Sequence, residues 1–104
     1  MINKEKIDEV VNRIVSKFNP EKIILFGSNA VGNINKNSDL DLLIIQDSEI
    51  PVHQRGYEIR MSLLGTNIPL DILIYTNSEI IEEKKNSMSF ISSILINSKI
   101  LYEG

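Results

Sequence analysis

Apolar residues recur near the start of the chain with helical spacing. Ile7, Val10, Val11, Ile14, Val15 and Phe18 fall on one stripe. The spacing predicts a helix, with Asn3 placed to cap its start and Asn19-Pro20 to stop it. The pattern then changes to short apolar runs at residues 22–26, 39–45 and 69–75, which read as strands. Residues 27–37 separate the first two runs and read as a turn, a short helical piece at 28–31 and a polar loop. A second helix is expected to begin at 48–51, with Pro51 in its first turn, Tyr57, Met61 and Leu64 on one face, and Gly65 as its stop. After the third strand, Ser78 is placed to cap a short charged helix through Lys85. Phe90, Ile91, Ile94 and Leu95 mark a last helix, and residues 99–102 a final strand. The order α-β-(α)-β-α-β-α-α-β predicts an α+β fold. Its mixed sheet would have three to four strands, five at most, flanked by helices. Strand order does not follow from the pattern.

At 104 residues the chain is expected to form a single domain, residues 1–104. Its 42% hydrophobic and 24% charged residues are ordinary globular proportions and argue against disorder. The absence of cysteine excludes disulfides, thiolate catalysis and zinc–thiolate sites. No apolar leader follows Met1, and no run reaches membrane-spanning length. A soluble cytoplasmic protein with no membrane partner is the expectation. Net charge is −3 and the basic residues are scattered, so no basic face for nucleic acid is evident. A protein or small-molecule partner fits better than a template strand.

The candidate chemistry lies between residues 27 and 41. In a strand, side chains at i and i+2 share a face. Asp39 and Asp41 would therefore project together, roughly 7 Å apart along the strand. Two carboxylates so close repel unless a cation joins them, and Mg²⁺ takes one or two carboxylates plus substrate phosphates. A pair of solvated acids at a strand start is the plainer reading, but Leu43 and Ile45 continue the same face as apolar. Gly27-Ser28 ends the first apolar run, where backbone N–H groups and a hydroxyl can meet a phosphate. On its own that pair reads equally as a plain turn. Asp71 sits between Leu70 and Ile72, where a charge is costly unless paired or metal-bound, and the alternative is an edge-strand acid in water. An EF-hand starting at Asn33 fails, because Ser38 stands where glycine is needed and Ile44 where the bidentate glutamate belongs. His53 reads as a surface residue, Tyr57 and Tyr75 as packing residues, and Lys84-Lys85 as a solvated helix face. Tyr102 reads either as a packing residue or as a modification target.

Gly27-Ser28, ten intervening residues and then Asp39-Leu40-Asp41 resemble the signature of the DNA polymerase β-type nucleotidyltransferase superfamily. The layout from about Ile7 to Tyr102 is similar to its smallest members, the minimal nucleotidyltransferase domains. The resemblance implies the nucleotidyltransferase fold. It implies that Asp39, Asp41 and Asp71 are the catalytic, metal-ligating residues, holding two Mg²⁺ ions, with Asp71 able to act as general base. Gly27 and Ser28 would bind the β- and γ-phosphates of a nucleoside triphosphate, ATP by this reading. Such domains are often encoded beside a small all-helical HEPN-type partner and act there as antitoxins, some by transferring AMP to a hydroxyl of that partner. The sequence departs from the pattern at Val31, where many minimal members carry an arginine that would clamp the triphosphate, and at Asn29. Lys36 is nearby in sequence. The competing reading is a non-catalytic module of the same fold that neutralises a partner by binding alone. Oligomeric state is not legible.

Overall fold

The computed structural model describes residues 4–27, 30, 40–51 and 54–104. The elements are α1 (Lys4–Phe18), β1 (Lys22–Phe26), β2 (Leu40–Ile45), α2 (Tyr57–Ser62), a 3₁₀ turn (Leu64–Thr66), β3 (Leu70–Tyr75), α3 (Asn77–Lys84), α4 (Phe90–Leu95) and β4 (Lys99–Glu103). The strands form one sheet in the order β3-β2-β1-β4. β1 runs antiparallel to both β2 and β4, whereas β2 and β3 are parallel. This is the mixed, helix-flanked sheet that the pattern predicts.

Both faces of the sheet are covered, which explains the unbroken apolar runs of β1 and β2. Alternate residues go to opposite cores. On one face Ile23, Leu25, Leu42, Ile44, Ile72 and Ile74 pack with Val10 and Ile14 of α1 and Ile59 of α2. On the other, Ile24, Phe26, Leu43 and Ile45 pack with Ile80 of α3 and Ile91 of α4. The stop of α1 is as expected. Asn19 turns left-handed at φ 51, its N–H bonds Val15 O at 3.1 Å, and Pro20 follows.

Several local expectations are corrected. The second helix begins at Tyr57, after a left-handed Gly56 at φ 98, and not at 48–51. It also buries the other side. Ile59, Leu63 and Thr66 are inside, while Tyr57, Met61 and Leu64 are 70%, 48% and 67% exposed. The segment carries two stripes of equal spacing, Tyr57/Met61/Leu64 and Ile59/Leu63/Thr66, so periodicity alone cannot select between them. The expectation that Tyr57 packs fails with the stripe, whereas Tyr75 is partly buried against the second core. Gly65 lies inside the 3₁₀ turn, and the left-handed residue that ends this region is Asn67, at φ 56. Finally, Thr76 and not Ser78 caps α3. Its hydroxyl accepts from Glu79 N–H while the Glu79 carboxylate accepts from Thr76 N–H. That reciprocal pair is the capping box, which needs an acid three residues after the cap.

Arg55 ties the chain before α2 to the sheet and to α3. Its guanidinium meets Glu79 through two bonds, of 2.5 and 3.1 Å. It also donates to the carbonyls of Ile50 at 2.6 Å and Ile74 at 3.1 Å. No helix among the described residues is long and apolar enough to cross a membrane.

Candidate active site

β1 ends at Phe26, and Gly27 leads out of it at φ 78, a conformation that favours glycine. Ala30 N–H bonds Gly27 O at 3.1 Å, which closes a turn at the end of the strand. Asp41 pairs with Phe26 across the antiparallel β1–β2 ladder. It also pairs with Asp71 across the parallel β2–β3 ladder. Paired residues on neighbouring strands project to the same face, and the strands lie about 4.8 Å apart. The two carboxylates therefore share one face at the corner where β1 ends and β2 and β3 begin. It is the α3–α4 face, because Leu43 and Ile45 continue it into the second core.

Gly27 and Asp41 are in close approach. A Cβ built on Gly27 would run into the Asp41 carboxylate, at Oδ2. The missing side chain thus leaves the space in which Asp41 lies against the turn. Gly27→Ala is expected to displace that carboxylate and to strain the backbone as well. Metal-supported nucleotide binding by this variant, measured by calorimetry, should fall at least about tenfold, as for loss of a group that orients a metal ligand. Wild-type affinity would contradict the placement.

Asp71 owes its place to register and not to burial. Asp71 is an acid inside an apolar run, but β3 is an edge strand and Asp71 is exposed. Desolvation therefore does not single it out. Its pairing with Asp41 does, and no local pattern signals that pairing. Ser28, Asn29, Val31, Lys36, Asp39 and His53 lie outside the described residues. Among the described residues, no three potential ligands form a metal-sized group. Two hard carboxylates on one face, one of them open to solvent, nevertheless suit a Mg²⁺ ion that completes its shell with water and phosphate. A cavity of about 400 Å³ lies elsewhere, lined in part by Phe18, Gln46, Ile50 and Tyr57. Gln46 follows the last residue of β2, so this cavity is at the far end of the strands from the acids. Its size does not make it the reaction site.

Residues 5–104 match the model of the polymerase β nucleotidyltransferase family. A Methanocaldococcus jannaschii protein named "putative protein adenylyltransferase" is 35% identical over 107 residues, covering 97% of this chain and 100% of the relative. A crystal structure named "putative nucleotidyltransferase", from Sulfolobus solfataricus, superposes with a TM-score of 0.66 at 22% identity, covering 95% of this chain and 78% of that one. A toxin–antitoxin crystal structure with AMP-PNP superposes with a TM-score of 0.61 at 19% identity, covering 99% of this chain and 75% of that one. At those identities the two structures speak for the fold. The family match spans nearly the whole chain, and the archaeal relative aligns over its full length: the chain belongs to the polymerase β nucleotidyltransferase family.

Proposed function

We propose that this chain transfers AMP from ATP to a hydroxyl of a partner protein, with Mg²⁺ held by Asp39, Asp41 and Asp71. The observation that supports it most is the register of Asp41 with Asp71 beside the Gly27 turn. Gly27 and Ser28 would bind the β- and γ-phosphates through backbone N–H groups and the serine hydroxyl. Asp71, open to solvent, accepts the proton of the acceptor hydroxyl. The acceptor oxygen bonds to the α-phosphorus, the bond to the β-phosphate oxygen breaks, and pyrophosphate leaves. Two bound Mg²⁺ ions would supply charge stabilisation for the attacking and leaving oxygens. The partner is a small all-helical protein of HEPN type, and the modification silences it, which makes this chain an antitoxin. The name of the archaeal relative supports a protein acceptor, and the toxin–antitoxin neighbour supports a protein partner. The net charge of −3 speaks against a nucleic-acid acceptor.

The test incubates the purified chain with the protein encoded beside it, ATP and Mg²⁺, and weighs the partner by intact mass spectrometry. An AMP adduct that Asp39→Asn with Asp41→Asn abolishes supports the proposal. Equal neutralisation by wild type and double mutant without any adduct would instead establish the non-catalytic binding module, the reading that Val31 favours. Val31 also makes a quantitative prediction. With no arginine there, ATP binding should require Mg²⁺, and calorimetry with and without the metal should differ sharply. Val31→Arg should tighten binding by about 1.5–3 kcal/mol, the worth of a charge-assisted hydrogen bond. Equal affinity with and without metal would contradict this account.

A further inference from the structure

β3 carries Asp71 and forms an outer edge of the sheet. An edge strand presents unpaired backbone groups on its open side. On the β2 side, the carbonyls of Pro69 and Tyr75 accept from Leu40 and Gln46 N–H groups at 2.9 and 3.0 Å. The carbonyls of Ile72 and Ile74, an odd number of residues away, therefore face outward. Both are met by guanidinium groups. Arg60 Nη2 donates to Ile72 O at 2.7 Å, and Arg55 Nη1 donates to Ile74 O at 3.1 Å. Arg55 is also held by Glu79, and Arg60 also donates from Nη1 to Arg55 O at 3.3 Å. Arg60 reaches the edge from α2, and the backbone makes room for it. A Cβ on Gly56 would sit 2.8 Å from Arg60 Nη1. Ile72 is the residue after Asp71, so Arg60 braces the open side of the strand at the point where the carboxylate must stay level with Asp41.

We infer that Arg60 is a positioning residue for Asp71. Its planar fork bridges Ile72 O and Arg55 O and holds the first half of β3 against the sheet. A lysine presents a single nitrogen and cannot reproduce that bridge in the same geometry. The inference rests on the proposed role of Asp41 and Asp71 as metal ligands.

The test measures Mn²⁺ binding to the full chain with a non-hydrolysable ATP analogue, by calorimetry or electron paramagnetic resonance. Four proteins are compared: wild type, Arg60→Ala, Asp71→Asn and the double variant. Arg60→Ala is expected to weaken Mn²⁺ binding about tenfold, the low end for groups that support a metal ligand from outside the coordination shell. In the Asp71→Asn background the same change should add nothing, because a residue that acts through Asp71 has no effect once Asp71 is gone. Wild-type affinity in Arg60→Ala overturns the inference. Losses that multiply in the double variant also overturn it, because Arg60 would then act through the fold at large. If Asp71→Asn itself leaves binding unchanged, the metal-ligand reading of Asp71 fails and the inference with it. If Asp71→Asn weakens binding but Arg60→Ala does not, only the inference fails. Should Arg60→Ala not fold, Arg60→Lys keeps the charge and the stem, and the same cycle with a smaller loss is expected.

Discussion

Asp41→Asn is expected to abolish nucleotide transfer while leaving the fold intact. The residue pairs with Asp71 across β2–β3 and lies against Gly27. Two like charges on neighbouring strands repel, and asparagine removes that repulsion. Asparagine keeps the shape of the side chain. It loses the negative charge that a hard cation requires. In the proposed mechanism, transfer should fall on the order of 10³-fold or more, because the charge stabilisation that Mg²⁺ would supply at the reacting phosphate goes with the carboxylate. Intact mass spectrometry of the partner over time measures that rate. Thermal unfolding supplies the second arm. With Mg²⁺ and ATP, the wild type should be stabilised by ligand linkage and the variant should not. A variant with transfer near the wild-type rate would remove Asp41 from the site.

Arg55→Ala should be the most destabilising of the substitutions considered. The side chain is 7% exposed. It donates to two carbonyls and to both oxygens of Glu79. Its removal leaves the outward carbonyl of Ile74 and that of Ile50 without these donors, and it frees the segment before α2 from α3. Removing one partner of a buried pair costs about 3–5 kcal/mol. Glu79 is 36% exposed and regains water, so a loss of about 2–4 kcal/mol is expected here. Urea unfolding of the two proteins measures it, and a loss below 1 kcal/mol would show that the network contributes little.

The same network sets an acid limit. The bond from Arg55, followed by that from Thr76 N–H, lowers the Glu79 carboxyl from 4.5 to about 2. A carboxyl whose folded value lies below its unfolded value stabilises fully above the unfolded value. That contribution is lost as pH falls toward the folded value. The Glu79 contribution should therefore be complete above about pH 4.5 and disappear between there and about pH 2. Glu79→Gln should flatten the stability profile in that window and lower stability at pH 7. An unchanged slope would place the acid sensitivity elsewhere.

The contrast between Asp41 and Asp71 shows where local reading ends. Asp41 is marked by its neighbours in sequence. It follows an apolar strand and a Gly-Ser turn at a recognisable spacing, and its face is set by Leu43 and Ile45 two and four residues on. Asp71 has no such frame. Burial inside an apolar strand does not mark it either, because it is exposed on the edge strand. The α2 segment shows the same limit. Tyr57, Met61 and Leu64 are spaced as well as Ile59, Leu63 and Thr66, and only packing against α1 and the sheet selects the second set. At α3, the information was local but pointed two residues earlier. Thr76 and Glu79 form the box because the acid must reach back to the cap, and Ser78 has no acid three residues on.

The apolar spacings mark α1, the strands and the last two helices, and the Gly27-Ser28 and Asp39-Leu40-Asp41 pairs mark the turn and the family signature. All of these rest on spacings of a few residues, which backbone geometry converts directly into a face or a turn. No local spacing says that β3 lies beside β2 in parallel, that it is an edge, that Asp71 is level with Asp41, or that Arg55 and Arg60 close its open side. Those facts depend on hydrogen bonds between segments far apart in the chain. A strand's own pattern of apolar residues is the same whichever neighbour it meets.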